Sequence, residues 1–469
     1  MTACNWAKSS AACRHTFLTR NPVTVRRHDV TRRETDLIMI CASDVAGQMR
    51  GKAVPRRAWA SRRENGIGWT PTNVLQTSFG PIAPSPWGAL GDLAIRPDPD
   101  TLIDLQMEEA GIDESFAIGD IHTLDGDRWE CCLRGQLKTA LERLEERHGL
   151  RINAAFEHEF HYSGLPEQGG LGYTLRSFRR LGVFPDTLMM VLDAAGMDID
   201  TFMPEYGPGQ CEVTVGPKPA LRAADEAAIL RDLVRATARG QGERASFAPI
   251  IDPEGVGNGV HVHFSIETLD GTPVCHDPDQ PYGVAQHSGA FVAGVLDRLP
   301  EFLAIAAPSV PSYLRLTPHR WSAAFNNFGN KDRESAVRIC PVFGAKTPEA
   351  IARKFHFEFR AADAAASPYL LLAALVNAGL DGLDRGLSAP TPTETDLAAL
   401  DVADLEATGC RRLAGSLDEA LSALTSSEWA ARAFGETLVD VIDRHKRTEI
   451  GLMEGLSEEE ICARYHAAY

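Results

Sequence analysis

Apolar residues recur with period two along some stretches of this chain and with helical period along others. Residues 36–44, with Leu, Ile, Met, Ile and Cys at their centre, predict a strand, and 45–52 carry the glycine spacing of a turn into a second strand. Residues 64–100 are rich in Gly and Pro and predict a loop ending in an apolar segment at 92–97. In 135–150, Leu137, Leu141 and Leu144 fall at helical spacing with charges between them, and a strand over 152–163 follows. Helical patterns return at 223–238 and at 369–383, the latter with Pro368 near its first turn. Residues 388–404 predict a polar surface connection, with helices from there to the C-terminus. The pattern predicts an α+β fold: a flexible extension over 1–30, a small β-rich domain over 31–125 and a larger domain over 126–469.

Four of the strand-like segments carry chemistry on alternate residues. On a strand, i and i+2 face the same side. Glu157 and Glu159 therefore share a face, with Phe156 and Phe160 on the other. His261 and His263 leave one face between Val260, Val262 and Phe264, and Glu358 and Arg360 repeat the pattern beside Phe357 and Phe359. Glu205 and Glu212 bracket Gly207-Pro208-Gly209, a turn able to bring both carboxylates to one place. Like charges on one face repel unless a cation lies between them. Five carboxylates and one imidazole suit Mg²⁺ or Mn²⁺ better than Zn²⁺. Arg315, Arg333, Arg338 and Arg360 add forked donors of the kind that grip carboxylates and phosphates. Metal with arginine is the usual setting for phosphoryl transfer. No GxxxxGK[ST] loop is present, so any nucleotide is held another way.

Composition narrows the classes. At 469 residues the chain can bury a sizeable core, and 44% hydrophobic and 24% charged residues are ordinary for a globular protein. A net charge of −17 argues against nucleic acid, and no apolar run is long enough to cross a membrane. Ten scattered cysteines without a CxxC predict reduced thiols in a cytoplasmic protein. Residues 1–28 lack Asp and Glu and mimic a transit peptide, but read better as a floppy extension.

From about residue 36 onward the chain resembles the glutamine synthetase family, of the branch that includes γ-glutamyl-amine ligases. Five blocks carry the resemblance in order: 156–160, 205–213, 257–265, 311–339 and 357–369. The resemblance implies a β-grasp-like N-terminal domain and a catalytic domain built on an antiparallel sheet and helices. It implies ATP, two to three Mg²⁺ or Mn²⁺ ions per site, and a homododecamer of two stacked hexameric rings. The first metal would be held by Glu159, Glu205 and Glu212, the second by Glu157, His261 and Glu358. Gly257, Arg315 and Arg360 would bind glutamate, and Arg333 and Arg338 the phosphate. His263, Ser265, Arg338 and Arg353 would meet ATP, while His356 stands where the family usually has another arginine. The implied reaction makes γ-glutamyl phosphate and then lets an amine displace phosphate.

The amine end departs from the family. Where glutamine synthetases carry the glutamate that closes the site and takes a proton from ammonium, this chain has Trp321. Where the N-terminal domain normally supplies an aspartate to a neighbour's ammonium pocket, residues 68–73 offer no acid. A cation pocket needs anions, and a tryptophan offers an apolar face instead. The favoured expectation is a glutamate ligase for an arylamine or small apolar alkylamine, acting in amine catabolism. An ordinary glutamine synthetase in which another acid such as Glu334 serves, and a catalytically silent structural or sensing member, remain open.

Overall fold

The computed structural model describes residues 32–165 and 172–469, so the expected extension over 1–30 lies outside the described residues. The described chain from Glu34 to Tyr469 forms one compact unit built on two sheets. The first has six strands: β1 (Leu37–Ser43), β2 (Met49–Pro55), β3 (Ile67–Trp69), β4 (Leu93–Pro97), β5 (Ile103–Met107) and β6 (Ile112–Thr123). Their order is β2-β1-β6-β4-β3, with β5 also on β6, and only β1 and β6 run parallel. Residues 64–100 are less loop-like than their composition suggests. They contain β3 and β4, and Leu93 and Ile95 alternate inward to bury against the sheet.

The second sheet has nine strands: β7 (Leu150–Tyr162), β8 (Ile199–Pro204), β9 (Gln210–Val215), β10 (Lys218–Pro219), β11 (Ala245–Ser246), β12 (Val260–Thr268), β13 (Phe328–Asn330), β14 (Val337–Ile339) and β15 (Phe357–Phe359). Their order is β13-β14-β15-β12-β7-β9-β8, with β10 and β11 also on β7, and every pairing but β13–β14 is antiparallel. Phe156 and Phe160 are buried on one face of β7, as their alternation requires, and Glu157 and Glu159 look the other way.

Helices cover the apolar face. Leu133–His148 and Ala220–Gly240 pack on β7, and Pro368–Asp384 packs on both and on Gln286–Ala306. The last contact is close because it is lined by glycine: a Cβ on Gly382 would lie 2.1 Å from the carbonyl of Ala290 and 2.8 Å from Gly294 Cα. Residues 388–404 are not simply a surface connection. Thr393 N–H donates to the Phe328 carbonyl at 2.7 Å, and Leu397 is buried with Ala324 and Phe325.

A buried ionic cluster ties the first sheet to helices that pack on the second. Arg134 is 3% exposed and donates to Asp225 at 2.8 and 2.9 Å, to Asp120 on β6 at 3.1 and 3.2 Å, and to Asp98 at 2.8 Å. Tyr369 adds its hydroxyl to Asp225 at 2.8 Å. Removing one partner of such a cluster leaves uncompensated buried charge. We expect Arg134→Ala to cost about 3–5 kcal/mol of stability, read as a lower urea midpoint. A loss below about 0.5 kcal/mol, the level of an ordinary surface substitution, would count against the cluster's role.

Candidate active site

Sheet register gathers the chemistry. Opposite residues in antiparallel pairs point to the same face. Glu212 on β9 faces Glu159 on β7, and Glu157 on β7 faces His261 on β12. His263 on β12 faces Glu358 on β15, and Glu358 faces Arg338 on β14. Five adjacent strands thus lay carboxylate, imidazole and guanidinium side by side on the face away from the helices. Glu205 joins them through the β8–β9 turn, where its N–H donates to the Gln210 carbonyl at 2.8 Å and Gly209 takes a φ of 69°.

A cavity of about 540 Å³ opens on this face, lined by Glu157, Glu159, Glu205, Glu212 and His261 and by Gly257, Arg315, Trp321, Arg333, Arg338 and Arg360. A second cavity, of about 750 Å³, shares Glu157 and Glu212 with it and is lined by His263, Ser265 and Arg353. Every site residue expected from sequence lines one of the two, apart from Glu358, which lies beneath them 1% exposed.

The carboxylates divide into two electrostatic groups. Glu358 is held by guanidinium: Arg338 Nε donates to it at 2.6 Å and Arg360 Nη1 to its other oxygen. Burial alone would raise its carboxyl, but Arg360 first, then His261 and His263, then Arg338, bring it down to about 2. Glu157 likewise sits well below the carboxylate range despite burial, with His261 Nδ1 at 2.7 Å. On the other side of β7 the acids face one another. Burial, then Glu157, Glu159 and Glu205, push Glu212 up to about 10. Burial raises Glu159 to about 7 even though Arg315 pulls it down.

Two further observations bear on ligands. His261 Nε2 is buried and makes no hydrogen bond, and Glu157, His261 and Glu358 bring donor atoms within 4.8 Å of one another. The ring nitrogen that meets those carboxylates is Nδ1, 2.7 Å from Glu157 and 3.7 Å from Glu358, and two carboxylates converging with an imidazole fit a divalent cation. Arg315 is 3% exposed with its Nη1 unpartnered. A Cβ on Gly257 would stand 2.7 Å from Arg315 Cδ, so the glycine makes room for that side chain. A buried guanidinium with a free fork fits a carboxylate.

Three residues near the site had no part assigned to them from the sequence. Gln210 donates from one amide nitrogen to Glu159 at 3.0 Å, the Gly257 carbonyl at 3.0 Å and Asn258 at 3.1 Å, and so fixes both β7 and the 257–259 segment. Its place two residues before Glu212 was a usable signal, since both share a face of β9. Tyr173 donates its hydroxyl to Glu205 at 2.7 Å, and Cys340 approaches His263 at 3.6 Å. Both meet the site through non-local packing that carries no local pattern.

The family profile "Glutamine synthetase, catalytic domain" matches residues 130–465, and "Glutamine synthetase N-terminal domain" matches 21–129. The chain belongs to the glutamine synthetase family and is an ATP-dependent glutamate–amine ligase. It is 34% identical to gamma-glutamylpolyamine synthetase GlnA3 of Streptomyces coelicolor, over 92% of this chain and 93% of that one. Among solved structures it is similar to a "novel glutamine synthase homolog" with a TM-score of 0.84 and 35% identity, covering 93% of this chain and 99% of the other. It is also similar to GmaS in an ADP complex, with a TM-score of 0.78 and 25% identity, covering 91% and 96%. The family uses ATP and divalent metal ions. No helix of the described residues is long and apolar enough to cross a membrane.

The acid group predicts a pH dependence. A carboxyl raised in the fold stabilises the protein at low pH and loses that contribution as pH rises. In EDTA, stability should fall from the ordinary value of 4.5 through about 7 as Glu159 ionises, and further toward about 10 as Glu212 does. Mg²⁺ at a hundredfold over its dissociation constant should return about 2.7 kcal/mol. Glu212→Gln should flatten the alkaline part of the slope and lose most of the metal-induced gain. Thermal unfolding with EDTA or Mg²⁺, at about pH 5.5 and about pH 8.5, measures both. A slope of opposite sign, or an unchanged Mg²⁺ gain in the variant, would count against the arrangement.

Proposed function

We propose that this chain joins the γ-carboxylate of L-glutamate to a non-ammonia amine of apolar body, an arylamine or small apolar alkylamine, as a step of amine catabolism in the cytoplasm. The observation that carries this reading is the state of Trp321 and Glu334. Trp321 lines the cavity with 59% of its surface exposed. Glu334 spends its carboxylate on the loop, one oxygen accepting from Trp321 N–H at 3.1 Å and the other from His319 N–H at 3.0 Å. Glu334 does not line that cavity, and the carboxylates that do, Glu157, Glu159, Glu205 and Glu212, are all in the proposed metal set, so the acceptor end has an aromatic face and no uncommitted acid.

On this reading Glu159, Glu205 and Glu212 hold one Mg²⁺ or Mn²⁺ and Glu157, His261 and Glu358 another. The metals, when bound, neutralise charge on the transferring phosphoryl group. Arg315, Arg360 and Gly257 seat glutamate, and His263, Ser265 and Arg353 receive ATP in the second cavity. A γ-carboxylate oxygen attacks the γ-phosphorus, the bond to the β-phosphate bridging oxygen breaks, and ADP leaves. Arg333 and Arg338 hold the transferred phosphoryl. The amine nitrogen then attacks the acyl carbon, the carbon–oxygen bond to phosphate breaks, and the nitrogen's proton passes to solvent. An arylamine is uncharged at neutral pH, so it needs no carboxylate to deprotonate it before attack. The proposed assembly is a homododecamer of two stacked hexameric rings.

A polyamine acceptor is the second reading, favoured by the name of the Streptomyces relative and by the ability of an indole face to hold an ammonium. ADP release with glutamate and Mg²⁺ over a panel of ammonia, aniline, isopropylamine and putrescine separates the readings. Turnover chiefly with aniline or isopropylamine is expected. Putrescine alone would favour the second reading, and ammonia alone would overturn both. Trp321→Glu should raise KM for the preferred apolar amine at least tenfold, about 1.4 kcal/mol, while KM for glutamate stays put. An unchanged amine profile would remove Trp321 from the acceptor site.

A further inference from the structure

The β14–β15 ladder continues one step past its ends, where Cys340 N–H donates to the His356 carbonyl at 3.1 Å. Period two then places Cys340 on the face of Arg338, and His356 on the face of Glu358. His263, opposite Glu358 on β12, shares that face. The three side chains converge: His263 Nδ1 lies 3.6 Å from Cys340 Sγ and 3.2 Å from His356 Nε2. All three donor atoms fall within 4.8 Å of one another.

We propose that His263, Cys340 and His356 form a Zn²⁺ site, separate in chemistry from the carboxylate set beside it. Bond lengths of about 2.05 Å to nitrogen and 2.3 Å to sulfur in a tetrahedron set donor–donor edges of about 3.3 Å for N···N and about 3.6 Å for N···S. The observed 3.2 and 3.6 Å match those edges, with no rearrangement of the sheet required.

The outer ring nitrogens are placed as ligating histidines require. His356 Nδ1 is 2.7 Å from the Lys354 carbonyl, which commits its hydrogen outward and leaves Nε2 a lone pair aimed at the cluster. His263 Nε2 lies 3.4 Å from Glu157 Oε2, an ion-pair distance without a hydrogen bond, so that carboxylate stands beside its outer ring nitrogen. A soft thiolate with two imidazole nitrogens of borderline softness selects Zn²⁺ over Mg²⁺ and Mn²⁺. Zn²⁺ binding breaks the Cys340 S–H bond, releases that proton to solvent and forms the Zn–S bond.

His263 and His356 both line the 750 Å³ cavity, so the fourth coordination position opens there to water or a phosphate oxygen, and with zinc bound His263 would meet ATP through the metal. Glu157 spans the two sites, one oxygen on His261 at 2.7 Å and the other near His263.

Cobalt tests this without reference to turnover or to which amine is used. Reduced protein, stripped of metal and returned to excess Mg²⁺, is titrated with Co²⁺. One equivalent per chain should give a thiolate-to-cobalt charge-transfer band in the near ultraviolet, and Zn²⁺ should displace it. Cys340→Ser should lose the band, and His356→Ala should weaken Co²⁺ binding at least tenfold while keeping the Mg²⁺-dependent gain in melting temperature. Absence of the band from the parent protein, its survival in Cys340→Ser, or unchanged affinity in His356→Ala would overturn the site. If Cys340→Ser fails to fold, the His356→Ala titration decides.

Discussion

The constraint on which the site depends is the register of β7 with β9 and β12. Side chains on a strand alternate, so a slip of one residue would turn a whole strand's functional set to the opposite face. The apolar partners hold the register: Phe156 and Phe160 are 1% and 0% exposed, and Val262, Phe357 and Phe359 are fully buried. Packing on the helix-covered face thereby fixes the spacing of Glu157, Glu159, Glu212, His261 and Glu358 on the other. The acids gather against their mutual repulsion because apolar burial across five strands outweighs it.

The same sheet face grades from one chemistry to another. At the β8–β9 end, Glu159, Glu205 and Glu212 meet, and two of their carboxyls are driven upward although Arg315 acts on Glu159. In the middle, Glu157 takes His261, and Glu358 takes Arg338 and Arg360. At the β14 end, thiol and imidazole replace carboxylate. Glu157 and Glu212 therefore lie on the wall that the two cavities share, and the imidazoles of His263 and His356 line the second cavity.

Much of this was legible because it is local. The i, i+2 pattern at Glu157 and Glu159, at His261 and His263, and at Glu358 and Arg360 encodes face directly, and Gly207-Pro208-Gly209 marks the β8–β9 turn. Which strands pair was not local, and recognising the five family blocks supplied the part that pattern alone could not. Cys340 went unremarked because its partners lie 77 residues before it on β12 and on the strand paired across from it. β3 and β4 lay hidden in a stretch where Gly and Pro dominate the composition, although Leu93 and Ile95 alternate there. Thr393 and Leu397 are anchored by a hydrogen bond and a small apolar cluster that a polar-looking segment does not announce.

The 319–321 loop shows where the fold accepts strain. His319 and Trp321 hold φ of 63° and 57°, a left-handed conformation that side chains bearing a Cβ rarely adopt. Each such residue costs on the order of 1–3 kcal/mol and persists only when its surroundings over-determine it. Glu334 supplies part of that determination through its hydrogen bonds to both N–H groups, and Arg360 adds a donor to the Trp321 carbonyl at 3.3 Å. Arg360 also holds Glu358, so the Trp321 backbone is tied to a residue that reaches the carboxylates of the sheet face. The 319–321 loop and Glu358 therefore share one guanidinium, which links the Trp321 backbone to that buried carboxylate through a single side chain.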